Sequence, residues 1–68
     1  MPIVTIKITG DEESPSTESK KQLISKITNI IGEVLHKNTH NLCVIIEEVP
    51  MDSYGIGGVT VRELRRRK

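Results

Sequence analysis

The sequence predicts an α+β fold: a β-α-β protomer with a C-terminal β-hairpin, oligomerising into a larger sheet-and-helix assembly. Three observations predict it. Residues 3–8 read Ile-Val-Thr-Ile-Lys-Ile, rich in β-branched side chains and alternating in the manner of a half-buried strand. A long stretch after Ser16 repeats apolar residues at helical spacing, and residues 42–49 form a nearly continuous apolar run. Strand, long helix, strand in that order makes a parallel pair joined by a right-handed crossover.

The first strand places Val4, Ile6 and Ile8 on one face, with Ile3, Thr5 and Lys7 on the other. Gly10 to Pro15 then reads as a loop of Gly, acids, Ser and Pro. Ser16 is the expected N-cap, and Glu18 falls in the first turn, where the helix dipole favours an anion. Leu23, Ile24, Ile27, Ile30, Ile31, Val34 and Leu35 recur at spacings of one, three and four, a helix of about five turns. Gly32 within it is read as a close-packing position. Lys37 and Asn38 are expected to end the helix, Asn38 by tolerating a left-handed cap.

The second strand, residues 42–49, is apolar enough to suggest burial on both faces. Pro50-Met51-Asp52-Ser53 breaks it. Tyr54-Gly55-Ile56-Gly57-Gly58-Val59 follows, and its glycines imply positive φ or close backbone approach. It is not a phosphate loop, because the Gly-Lys-Ser/Thr ending is missing; a small hairpin docking on a neighbouring subunit fits better. Residues 60–68 are expected to be a short, basic, partly mobile segment.

The chain has 68 residues, the size of one small domain spanning 1–68. Chains this short usually need a disulfide, a metal or a partner. Cys43 is the sole cysteine, and Cys43, His36 and His40 make a poor zinc set without a Cys-x-x-Cys pair. Self-association remains as the expected staple. One helix can cover only one face of a two-stranded sheet, which leaves open edges and a bare face for copies to cover. The net charge is +1, but Asp11-Glu12-Glu13 is acidic while Arg62 and residues 65–68 are basic. No signal peptide or membrane-spanning run is evident, so a cytoplasmic location is expected. Phe and Trp are absent, which argues against single-stranded nucleic acid as a partner.

Pro2 stands directly behind Met1, whose trimming would free a secondary amine. In an apolar pocket such an amine can take a proton from carbon. On Pro2 alone, the better reading is the start of a strand, where its missing N–H costs nothing.

Pro2, Val44-Ile45-Ile46-x-Glu48 and Tyr54-Gly55-Ile56-Gly57-Gly58, in this order and in a chain of this length, resemble the 4-oxalocrotonate tautomerase family. The likeness covers nearly the whole chain, with one longer loop after the first strand. It implies a hexamer built as a trimer of dimers, acting on a small-molecule substrate without metal or organic cofactor. It also implies that Pro2 is the base that shuttles a proton between an enol and its ketone. Tyr54 falls where the family carries an aromatic that keeps the pocket apolar. The family's two arginines are missing: one position is Cys43, and the other falls in the acidic loop from Asp11 to Pro15.

Without those arginines, a depressed amine pKa must come from apolar surroundings, backbone dipoles or another cation. Tyr54 can be a donor to an enolate oxygen or a half-buried structural aromatic. Arg62 is the best substitute carboxylate binder, because a forked guanidinium suits that geometry. Lys7 is the second candidate; it reads as an edge lysine, or as a group reaching a neighbouring site in a closed oligomer. Cys43 reads as an inert buried thiol, and His36 and His40 as surface or capping residues. Glu47 and Glu48 alternate faces without forming an acid/base pair. Two other functions fit less of the chain: an oligomeric relative without activity, and a module binding anions through its basic tail.

Overall fold

A computed structural model describes residues 2–36 and 38–67. Strand β1 (Ile3–Thr9) and strand β2 (Cys43–Val49) pair in parallel, with Ile3 opposite Cys43 and Thr9 opposite Val49. Helix α1 (Thr17–Leu35) connects them as the crossover. Its N-cap is Ser16, whose hydroxyl accepts the Ser19 N–H at 3.1 Å. The β-α-β reading of the sequence is the observed architecture.

The parallel register separates the two sheet faces. Val4, Ile6 and Ile8 lie beside Val44 and Ile46 on the face covered by α1, and all five are half-buried. Lys20 of α1 crosses to Glu48 on this face at 2.8 Å. The opposite face carries Ile3, Thr5, Lys7, Ile45 and Glu47, all exposed. The apolar stripe of α1 is likewise wider than the two strands can cover: Ile30 is 59% exposed and Val34 67%.

The helix end, the acidic loop and the basic segment differ from expectation. The helix ends at His36, not Asn38; His36 takes the left-handed conformation (φ 53°) and its N–H returns to Gly32 O. The expected contribution of Lys37 lies outside the described residues. The acidic loop is not irregular throughout, because Asp11–Glu13 makes a turn of 3-10 helix. The basic segment is a second helix, α2 (Val61–Arg66), capped by the Thr60 hydroxyl, which accepts the Glu63 N–H at 3.2 Å.

The expected hairpin is present as β3 (Gly55–Ile56) and β4 (Val59–Thr60). Gly57 (φ 63°) and Gly58 (φ 87°) form its two-residue turn, and positive φ at both positions is what a type I′ turn requires. A Cβ on Gly55 would meet Val59 O at 2.5 Å, so the strands close only over glycine. Among the described residues, the buried apolar side chains are Met51 and Val61, packed where the hairpin joins the sheet. Backbone bonds lock that junction: Val61 N–H to Tyr54 O at 3.0 Å and Arg62 N–H to Met51 O at 3.2 Å.

The radius of gyration is 15.3 Å, against about 11 Å for a compact chain of this length. A protomer with so small a core and so much open apolar surface is shaped for association. Among the described residues, no helix is long and apolar enough to cross a membrane.

Candidate active site

A cavity of about 350 Å³ opens at the C-terminal ends of β1 and β2, lined by Lys7, Ile8, Thr9, Val49, Ser53 and Tyr54. Lys7, Thr9 and Val49 belong to the sheet face turned away from α1. Ser53 and Tyr54 come from the turn that Pro50 starts; the Ser53 N–H closes that turn on Pro50 O at 2.9 Å. The Tyr54 hydroxyl meets Thr9 Oγ1 in a hydrogen bond, either oxygen being able to donate. Apolar wall and hydroxyl edge are therefore both present. Lys7 is the cation of the lining, paired loosely with its cross-strand neighbour Glu47 at 3.7 Å.

Pro2 is elsewhere. It is half-buried at the start of β1, and its carbonyl accepts the Cys43 N–H at 3.1 Å. Seven strand steps of roughly 3.3 Å put it roughly 20 Å from Thr9, at the far end of the same strand. One protomer thus does not bring Pro2 and Tyr54 together.

The arginines lie beside the cavity and are engaged with carboxylates. Arg62 Nε donates to Asp52 at 2.8 Å, Nη2 to Asp11 at 2.9 Å, and Nη1 approaches Glu12 at 3.5 Å. The hydrogen bond to Asp52, then the nearby carboxylate charges, hold the Arg62 pKa above its ordinary value. Arg65 donates from Nε and Nη2 to both oxygens of Glu13, at 2.6 and 3.2 Å, and is raised by the same cause. The sequence proposes Arg62 as a carboxylate binder; within the protomer the carboxylates it binds are the chain's own. Arg65, expected in a partly mobile basic segment, is instead held in α2 by its pair with Glu13.

Cys43 is a half-buried free thiol, and His36 and His40 are exposed beyond the helix end. Glu48 faces α1, where its bond to Lys20, then one to Ser14, lowers its pKa. Thr9 and Ser53 escaped the sequence reading. Thr9 lies one residue past the expected strand end, yet at two residues from Lys7 it shares that face, and this alternation was the available signal.

Comparison with known proteins agrees with this architecture. Residues 2–64 match the family model of the tautomerase enzymes. A probable tautomerase of Dickeya dadantii is 46% identical over 66 residues, covering 97% of this chain and 96% of that protein. The crystal structure of DmpI from Helicobacter pylori is similar at a TM-score of 0.84 and 37% identity, covering 98% of this chain and all of that one. A heterohexameric 4-oxalocrotonate tautomerase from Chloroflexus aurantiacus is similar at a TM-score of 0.80 and 28% identity, covering 96% of this chain and 100% of that one. By the family match over nearly its full length, and by the fold it shares with these structures, the chain belongs to the tautomerase family of enzymes.

Proposed function

We propose that this tautomerase interconverts the enol and keto forms of small 2-oxo or 2-hydroxydienoate acids, with Pro2 as base and no cofactor. The observation that carries the reading is the cavity at Tyr54, apolar on one side and hydroxyl-lined on the other. Once Met1 is removed, Pro2 carries a secondary amine. An apolar, half-covered setting disfavours its ammonium form and leaves the lone pair free near neutral pH. The nitrogen takes one proton from the substrate and returns it to another atom, so the reaction is an isomerisation with no electron gained or lost. Tyr54 can accept from Thr9 and donate its own proton to the enolate oxygen that develops meanwhile.

Because Pro2 and Tyr54 sit at opposite ends of β1, the working site combines Pro2 of one copy with Tyr54 of another. We propose a hexamer built from three dimers of this single domain. The uncovered apolar residues of the open sheet face and of α1, together with the extended protomer, support it. The heterohexameric relative supports the number six. The test is an enol assay on the purified protein, with phenylenolpyruvate ketonised faster than in buffer. Absence of any acceleration at full occupancy of the oligomer would favour the reading as an inactive relative.

A further inference from the structure

We propose that the cavity at Tyr54 is selective for enol acids with one carboxylate, bound by the Lys7 ammonium, and that the carboxylates of Asp11, Glu12 and Asp52 disfavour diacids. The inference rests on the tautomerase reading above and specifies the substrate class of that site.

The cations near the cavity are not equivalent. Arg62 has all three of its guanidinium nitrogens directed at carboxylates, Nε to Asp52, Nη2 to Asp11 and Nη1 to Glu12. Arg65 is held by both oxygens of Glu13. A substrate carboxylate would have to displace an existing partner of either arginine. Lys7 differs, because among the described residues its carboxylate partner is Glu47, no closer than 3.7 Å. At 3.7 Å this pair is looser than the contacts of Arg62 and Arg65 at 2.6–2.9 Å, so its ammonium exchanges more readily for a ligand carboxylate in a shaped cavity. Lys7 also lines the cavity, which neither arginine does.

The second half concerns the other end of the ligand. Asp11 and Asp52 stand two residues and one residue from the lining residues Thr9 and Ser53. With Glu12 they place three carboxylates around one guanidinium, so the Arg62 cluster holds two more negative charges than positive ones. A second substrate carboxylate would enter that field with a like charge. An aromatic or alkyl end instead meets Val49, Ile8 and the Tyr54 ring.

The test measures binding apart from turnover. Cinnamate, a monoacid, and muconate, a diacid, are titrated into the assembled protein by calorimetry; neither is an enol. Cinnamate should bind about 10-fold or more tightly than muconate, because the second carboxylate of muconate meets like charges at Asp11, Glu12 and Asp52. Lys7→Met should weaken cinnamate about 10-fold, and Lys7→Arg should recover most of that loss. Glu12→Gln, at an exposed residue, should strengthen muconate relative to cinnamate. Muconate binding as tightly as cinnamate, or a cinnamate affinity indifferent to Lys7→Met, overturns the proposal. Enol assays on the same samples keep the two readings apart. Equal kcat/KM for phenylenolpyruvate and 2-hydroxymuconate overturns the selectivity while leaving the tautomerase reading intact. Lys7-dependent cinnamate binding without ketonisation of either enol supports the site and overturns the activity.

Discussion

Asp11 Oδ2 accepts from Arg62 Nη2 at 2.9 Å and from the Met51 N–H at 2.8 Å, joining the loop after β1 to α2 and to the turn after β2. The longer acidic loop and the basic C-terminal segment are thus two halves of one clasp. Asp11 adopts φ 55°, a left-handed conformation that a short polar side chain tolerates.

Asp11→Ala should loosen this junction. It leaves the part-buried Met51 N–H without its acceptor, which costs about 1–3 kcal/mol. Asp11→Asn keeps an oxygen for that N–H and should recover much of the loss, because the exposed ion pair adds little. Urea denaturation of both variants checks the order.

The Lys20–Glu48 bond ties α1 to β2 and makes stability depend on acid. Glu48 titrates below its ordinary value because Lys20, then Ser14, hydrogen-bond its charged form. A carboxylate lowered in the folded state contributes stability that is present above its unfolded pKa and is lost as pH falls through the folded one. Melting of Glu48→Gln and of the parent should therefore differ at neutral pH and converge once the pH has fallen through the lowered Glu48 value.

The β-α-β core was legible because each element announces itself within a few residues: alternation in residues 3–8, the Ser16 cap, and the apolar run before Pro50. The hairpin was legible in Gly57-Gly58, where the turn demands positive φ. The clasp was not. Asp11 and Arg62 are 51 positions apart, and no local pattern says that two oppositely charged segments meet. A helix of six residues over Val61–Arg66 has too few turns to show a period; it is fixed by the Thr60 cap and the burial of Val61. The cavity was half legible: Tyr54 and Lys7 stood out by type, whereas Thr9 and Ser53 are brought in by the fold.

The open sheet face predicts assembly through Ile45, which is 45% exposed in the protomer. Light scattering should give about 46 kDa, six times the 7.6 kDa chain. Ile45→Glu should shift the protein toward smaller species and lower its melting temperature. A folded 7.6 kDa monomer would remove the basis for a shared site.

Tyr54→Phe retains the ring and deletes the hydroxyl that meets Thr9. If the hydroxyl donates to the enolate, kcat should fall about 10-fold or more, with KM little changed. A variant with unchanged kcat would assign Tyr54 to apolar packing alone.

The central claim is that Pro2 is the base, and its most direct measurement is the ketonisation rate of Pro2→Ala. The same samples are weighed by mass spectrometry, native for the oligomer and denatured for the N-terminus. The account predicts that the parent lacks Met1, that both proteins form the same oligomer, and that the variant loses at least about 100-fold in kcat/KM, in the range of a lost acid–base group. A variant that keeps the parent's rate, or an active parent that retains Met1 and so holds the Pro2 nitrogen as an amide, would contradict it.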